Sequence, residues 1–372
     1  MKKYKNRIQR AKKPGLSLTS AIILMLAVMA VFSACSSGSG NDMQETGSEW
    51  KYTEEVPDVP DDRRLVVYTS HKAEVYEPII REFEERTGIW VDTVQGGTKA
   101  ILERIRNEYD FGGIDIMFGG GVETLNSYKD CFDPYRAGEE DRIIEGLGSG
   151  DDLWTPFTEL PIVFIYNTMI LSEEEAPQSW DELFDEKWAG KISFADPFNS
   201  GTSYTILSAL IQMKAGKSSV IPGNYAEERS VISAFMAQLE GNLAAGSGQV
   251  PQEVADGIRT IGITLEETAL RWIADGEHIG MIYPSDGVVA VPDGCALVKN
   301  APHRKNAEKF IDFIISRDVQ RYMVENMYRR TVRSDIENPG YFREIRLTDF
   351  DTARSGEDEE RILKLWREQE AE

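Results

Sequence analysis

The first half of the chain alternates short apolar runs with helical periods, and this alternation restricts the fold more than any other feature. Leu65-Val66-Val67-Tyr68 is a continuous apolar run, the pattern of a strand covered on both faces. Val75, Tyr76, Ile79, Ile80 and Phe83 then recur at helical spacing, and Gly88 supplies a stop. Ile89-Trp90-Val91 opens a second strand, Ile101, Leu102 and Ile105 mark one helix face, and Ile116-Met117-Phe118 is a third strand. Strand–loop–helix repeats of this kind predict an α/β fold with a parallel sheet and helices on both faces.

Beyond residue 150 the pattern changes. Pro161-Ile162-Val163-Phe164-Ile165-Tyr166 is a long extended stretch without a matching helix, as expected for a crossover into a second lobe. Ser179-Trp180-Asp181-Glu182 has the form of a capping box, so a short helix is expected there. Lys191-Ile192-Ser193-Phe194-Ala195 is a strand, Ile206, Leu207, Leu210 and Ile211 mark a helix, and a further helix covers about 225–239. Ile261-Gly262-Ile263-Thr264 is a strand leading into Glu266 and Glu267, whose place at a helix start suits the helix dipole. Gly280-Met281-Ile282-Tyr283 carries the chain back, residues 306–323 are helical, and the tail after Pro339 is charged with Trp366 as its large apolar anchor. The expected division is lobe 1 from residues 63–160 plus 286–372, and lobe 2 from 161–285. Crossovers fall near 160–166 and 280–286.

The N-terminus bears on location. Lys and Arg crowd the first thirteen residues, an apolar run fills 21–32, and Ala34 precedes Cys35. A basic start, a short apolar core and a small-residue cut site describe an export signal. The run is shorter than the roughly 20 residues of a membrane-spanning helix. Phe32-Ser33-Ala34-Cys35 resembles a bacterial lipobox, which implies cleavage after residue 34 and lipidation of Cys35. Residues 35–62 are Ser/Gly-rich and then acidic, the composition of a flexible linker. An extracytoplasmic protein tethered to the cell membrane by lipid is the expectation.

Removing residues 1–34, which hold seven Lys/Arg and no acid, takes the net charge from −22 to −29. Such a surface repels nucleic acid. It also leaves an anionic ligand to be held by local dipoles. Cys131 and Cys295 could pair in an exported protein or stay as buried thiols. His71, His278 and His303 lack metal-ligand spacing, so no metal or cofactor is expected. No Gly-x-Ser-x-Gly elbow, Walker loop or HExxH occurs, which leaves a secreted hydrolase without its machinery.

Chemistry can gather where strands end in small polar residues and helices begin. Thr69-Ser70-His71, Gly96-Gly97-Thr98, Gly119-Gly120-Gly121 and Asn199-Ser200-Gly201-Thr202-Ser203 share this design. In α/β sheets such loops lie at the carboxyl ends of strands, where ligands bind. Helix N-termini and hydroxyls there suit a carboxylate, phosphate or phosphonate held by neutral donors. His71 reads as a ligand contact or a cap-region side chain. Asp286, in Ser285-Asp286-Gly287, reads as a partner for a ligand amine or hydroxyl, or as a plain turn.

The chain resembles the bacterial extracellular solute-binding proteins of ABC importers, in the branch with ferric-iron, hexose-phosphate, phosphoglycerate and aminoethylphosphonate binders. Leu65 to Ser70, Phe83-Glu84-Glu85-Arg86-Thr87-Gly88-Ile89, Trp188-Ala189-Gly190-Lys191-Ile192 and Ser200-Gly201-Thr202 carry the likeness. Val254-Ala255-Asp256-Gly257, Pro292-Asp293-Gly294 and Asn300-Ala301-Pro302 continue it in the same order. The resemblance implies a bilobed periplasmic-binding-protein-like fold with two α/β lobes, a ligand cleft and two crossover hinges. It implies a non-enzymatic, monomeric protein that captures a small anionic solute and delivers it to a permease and ATPase complex. By the same resemblance Ser70, Thr98, Ser200, Gly201, Thr202, Ser247, Thr264 and Asp286 fall in ligand-contacting loops; the loop reading adds His71 and Gly120. Ferric binders of this type use adjacent tyrosines near the return crossover. Only Tyr283 stands there, so iron, with His71 and Tyr283 as ligands, ranks below a phosphorylated or phosphonate solute. A binding protein that presents its ligand to a membrane sensor would show the same site.

Overall fold

In the computed structural model the described residues are 59–215 and 225–371. The expected signal, Cys35 and the linker up to residue 58 lie outside them. Chain order begins β1 (Arg64–Thr69), α1 (Ala73–Thr87), β2 (Trp90–Gln95), α2 (Thr98–Glu108), β3 (Ile116–Gly121) and α3 (Val122–Asn126). It continues β4 (Phe132–Asp133), β5 (Thr155–Asn167), β6 (Ile192–Ser193), α4 (Gly201–Ala215), α5 (Ala226–Leu239) and α6 (Gln249–Ala255). Then come β7 (Ile261–Leu265), α7 (Glu266–Ala274), β8 (Ile279–Ile282), β9 (Ala290–Val298), α8 (Arg304–Ile314), α9 (Arg317–Met327), β10 (Arg330–Thr331) and α10 (Thr352–Glu370).

The strands order as β2-β1-β3-β9-β5-β7-β6, with β4, β8 and β10 paired off this path. β1, β2 and β3 are parallel, as the alternation predicts. The sheet as a whole is mixed, because the chain leaves lobe 1 through β5 and re-enters through β9. β9 therefore runs antiparallel to both β3 and β5. β5 is the strand shared by the lobes. Its first part, to Pro161, pairs with β9, and its second part, from Ile162, pairs with β7 and β8.

Helix α1 shows why these elements form where they do. Val75, Ile79, Ile80 and Phe83 make its buried stripe. It ends at Gly88, whose φ of 67° is the left-handed cap that glycine adopts without strain. Two expectations are corrected. The capping-box segment yields only a 3-10 turn at Glu182–Phe184. Ser179 Oγ accepts from Glu182 N at 3.2 Å, but the Glu182 carboxylate accepts from Gln178 N at 3.0 Å, so the reciprocal half of the box is missing. The helix expected over 306–323 is two helices, broken at Ser316, which stands at the N-cap position of α9 with ψ of 147° and no side-chain capping bond.

The tail departs furthest from the expected division. α10 packs against α3 of lobe 1 and against α4 and α5 of lobe 2. Ser127 Oγ donates to Gly356 O at 2.8 Å, Ser355 Oγ donates to Ser208 Oγ at 2.7 Å, and Arg361 pairs with Glu228. Trp366 is fully buried, its ring 6.1 Å from that of Phe194. One buried cluster runs from Leu102 and Leu125 through Trp366 to Phe194 and Phe235. Cys131 and Cys295 are both buried and free.

Candidate functional site

The loop residues converge on a cleft of about 140 Å³ between the lobes. Ser70, His71, Thr98 and Gly120 line it from one side, and Gly201, Thr202, Ser247 and Thr264 from the other. The lobes touch across it: Arg271 of α7 donates to Glu74 of α1 at 3.0 Å. Two of the ten expected residues sit elsewhere. Ser200 is buried beneath the rim, where its Oγ accepts from Ser203 N at 3.1 Å and caps α4. Asp286 lies in a separate surface pocket beside Lys214 and Arg346. Its carboxylate accepts from Trp180 N at 3.0 Å, so it ties two distant segments of the chain together.

Three long helices start at the cleft. α1 begins after Lys72, α2 after Gly97 and α4 at Gly201, and no side chain caps the first two. Apart from Val75 N–H, which donates to Lys72 O at 2.9 Å, the first-turn N–H groups of α1 and α2 are left for a ligand or solvent. Gly119 and Gly120 let the loops close in. At φ of 107° and 84° each adopts a backbone that side chains disfavour. A Cβ on Gly119 would sit 2.8 Å from Ser70 Oγ, and one on Gly120 would sit 2.7 Å from Thr98 Cγ2.

His71 is built into the floor. Its ring packs edge-on against Phe118, with centroids 4.6 Å apart. Its Nε2 is 3.4 Å from Asp293 Oδ2 but makes no hydrogen bond. Burial first, then the charge of Arg329, hold the imidazole well below its usual range, so the ring is neutral at physiological pH. Asp293 accepts from Thr158 N and Oγ1 at 2.7 Å each and from Arg329 Nη1 at 2.6 Å. Burial lifts the Asp293 carboxyl above its ordinary value, while Arg329 and Thr158 pull it down. Arg329 Nε is buried with no partner.

Sequence reasoning missed the charged part of the lining: Lys72, Glu123, Glu267, Asp293 and Arg329. The cleft is therefore not built of neutral donors alone. Glu123 is the most unusual of these. It is 0% exposed, Oε1 accepts from Thr205 Oγ1, and Oε2 has no partner. Burial drives its carboxyl up to about 7, against the pull of Thr205 and its own backbone N–H and with a push from Glu359. Acids are abundant in this sequence, so the one signal was position, two residues after Gly119-Gly120-Gly121. Asp293 stood inside a motif that carried the resemblance, but no role attached to it.

Tyr283 is outside the cleft lining. It donates to Glu266 Oε1, and burial together with Glu266 pushes its phenol well above the ordinary value. Glu266 also takes a two-pronged contact from Arg330, at 2.7 and 2.8 Å. No group of three or more His, Cys, Asp or Glu among the described residues is arranged to hold a metal ion.

Comparison with known proteins agrees with this fold. Iron uptake protein A1 of Synechocystis is 26% identical over 293 residues, covering 76% of this chain and 79% of that protein. A periplasmic protein of Salmonella typhimurium named for binding 2-aminoethylphosphonate is 21% identical over 269 residues, covering 70% of this chain and 75% of its own. The periplasmic binding protein AfuA from Actinobacillus pleuropneumoniae, solved with fructose-6-phosphate, superposes with a TM-score of 0.73 at 20% identity. That match covers 82% of this chain and 98% of AfuA, and it shows the fold. Residues 113–345 match the family model described as "Bacterial extracellular solute-binding protein". The chain belongs to that family.

Proposed function

We propose that this protein is the extracytoplasmic, lipid-anchored solute-binding component of an ABC importer. In this reading it captures a small phosphate- or phosphonate-bearing solute between its lobes and hands it to a membrane permease. The observation that carries the reading is the convergence of three helix N-termini on a cleft that also holds Lys72 and the unpartnered Arg329 Nε. Helix N-termini bind anions through free N–H groups and the positive dipole end. Size supports a small cargo. A cavity of about 150 Å³ takes benzene, so a cleft of about 140 Å³ suits a short phosphonate better than a hexose phosphate. Binding requires no reaction, and ligand favours the closed lobes only as far as it binds them better than the open ones.

Iron is the competing cargo, by analogy with the named iron uptake protein. Tyr283, hydrogen-bonded to Glu266 and away from the cleft, counts against it. A thermal-shift screen of the mature chain tests the two. Ligands that bind only the folded state raise the melting temperature. Methylphosphonate, 2-aminoethylphosphonate or phosphoglycerate should raise it. A rise with ferric citrate alone would overturn the phosphonate reading.

A further inference from the structure

We propose that Glu123 binds as a neutral acid: its Oε2–H donates to an oxygen of the captured oxyanion, so that capture takes up a proton from solvent whenever the free carboxyl is ionised. This rests on the oxyanion reading of the cleft and assigns that site a proton-linked donor.

The geometry leads there step by step. Glu123 is wholly buried at the second position of α3 and lines the cleft. Its carboxyl is folded over Gly121, where a Cβ would stand 2.3 Å from both carboxyl oxygens. Thr205 occupies Oε1, and Oε2 is an orphan. A buried polar atom without a partner is costly, and the missing partner is then supplied by ligand. An ionised carboxylate only accepts hydrogen bonds, whereas the protonated form has one O–H to give. An anion held by the N-termini of α1, α2 and α4 offers acceptors and repels a second negative charge. Both effects favour the neutral acid.

The surroundings of Glu123 point the same way. From α4, Thr205 and the buried Tyr204 face it, the latter donating its own proton to Ser355 O. From α10 comes Glu359, which accepts from Ser127 and repels a charge on Glu123. Lys99 acts on Glu359 rather than on Glu123. Elsewhere in the lining His71 is neutral, Asp293 is paired with Arg329, and Glu267 is paired with Arg271. Lys72 stands at the exposed rim. Among the described residues, the charge that acts on the Glu123 carboxyl is that of Glu359, a like one. Burial already places the free acid near neutrality, about 7.

The test is calorimetric titration with methylphosphonate, which carries no amine or alcohol, at pH 6, 7 and 8. It is run in two buffers of different ionisation enthalpy, on the full chain and on Glu123→Gln. Ligand ionisation is common to both proteins, so the difference between them isolates Glu123. At pH 8 the natural protein should take up close to one more proton than the variant. Its Kd should weaken relative to the variant by up to about tenfold per pH unit above 7. Binding with parallel pH profiles and equal proton uptake would overturn the proposal and leave the oxyanion reading standing. Failure to bind methylphosphonate at any pH would remove both. Relative proton release by the natural protein would show an ionised Glu123 accepting from the ligand, which also overturns it. Should the variant fail to fold, carboxyl carbon NMR of the natural protein decides. Saturated with methylphosphonate at pH 8, Glu123 must still carry its proton.

Discussion

Glu123 ties the pH of the medium to the stability of the empty protein. Its carboxyl titrates near 7 in the fold, against an ordinary value of 4.5. Between those values the folded chain holds a proton that the unfolded chain has released. The stabilisation is complete below about 4.5 and lost as pH rises through about 7. Two and a half pH units amount to about 3 kcal/mol. Urea unfolding should therefore show the free protein losing up to about 3 kcal/mol relative to Glu123→Gln between pH 5 and 8. His71 acts with the opposite sign. It is buried neutral, so its contribution is present above the ordinary histidine value of 6.5 and lost as pH falls below it. Both proteins share that effect, and it cancels in the comparison. Ser200 and Thr202, neighbours in sequence, should separate cleanly. Ser200→Ala removes the cap of α4 and should cost about 1 kcal/mol of stability. Thr202→Ala should leave stability nearly unchanged and raise the Kd for the phosphonate probe. The loops that line the cleft were legible as residues because strand ends, glycines and hydroxyls have a local signature. Which side chain turns inward, and which caps its own helix, depends on packing that no local pattern records.

At the level of elements, apolar periodicity placed most strands and helices, and the long run through Ile162 and Phe164 marked the crossover. What it could not supply was pairing. Glu266 and Glu267 read as acids at a helix start, which explains them without partners. Arg329 and Arg330, more than sixty residues later, fold back beside them at β10. Glu266 is fully buried against Arg330, which also stacks over Phe342 with its guanidinium 4.9 Å from the ring centre. Breaking such a buried pair strands a charge in low dielectric. Glu266→Gln should therefore cost about 3–5 kcal/mol in denaturant unfolding. That is several times the few tenths expected of a surface acid favouring a helix dipole.

For the molecule as a whole, the bilobed outline followed from two extended crossovers in the sequence. The course of the tail did not, since a charged segment with one tryptophan shows an anchor but not its harbour. α10 joins α3, which carries Glu123, to α4, which carries Thr205 and Thr202. Gly356 makes the junction tight: a Cβ there would stand 2.3 Å from Glu123 O. Because this helix packs on both lobes, movement of one lobe relative to the other would alter its contacts with at least one of them. In the proposed function the tail would act as a tuning element for affinity. On that reading, contacts such as Ser127 to Gly356 and Glu359 would set the fraction of protein poised to bind, and the observed Kd would scale inversely with that fraction. Variation in the last twenty residues can retune this protein to scarce or abundant solute while every residue that touches the solute stays the same.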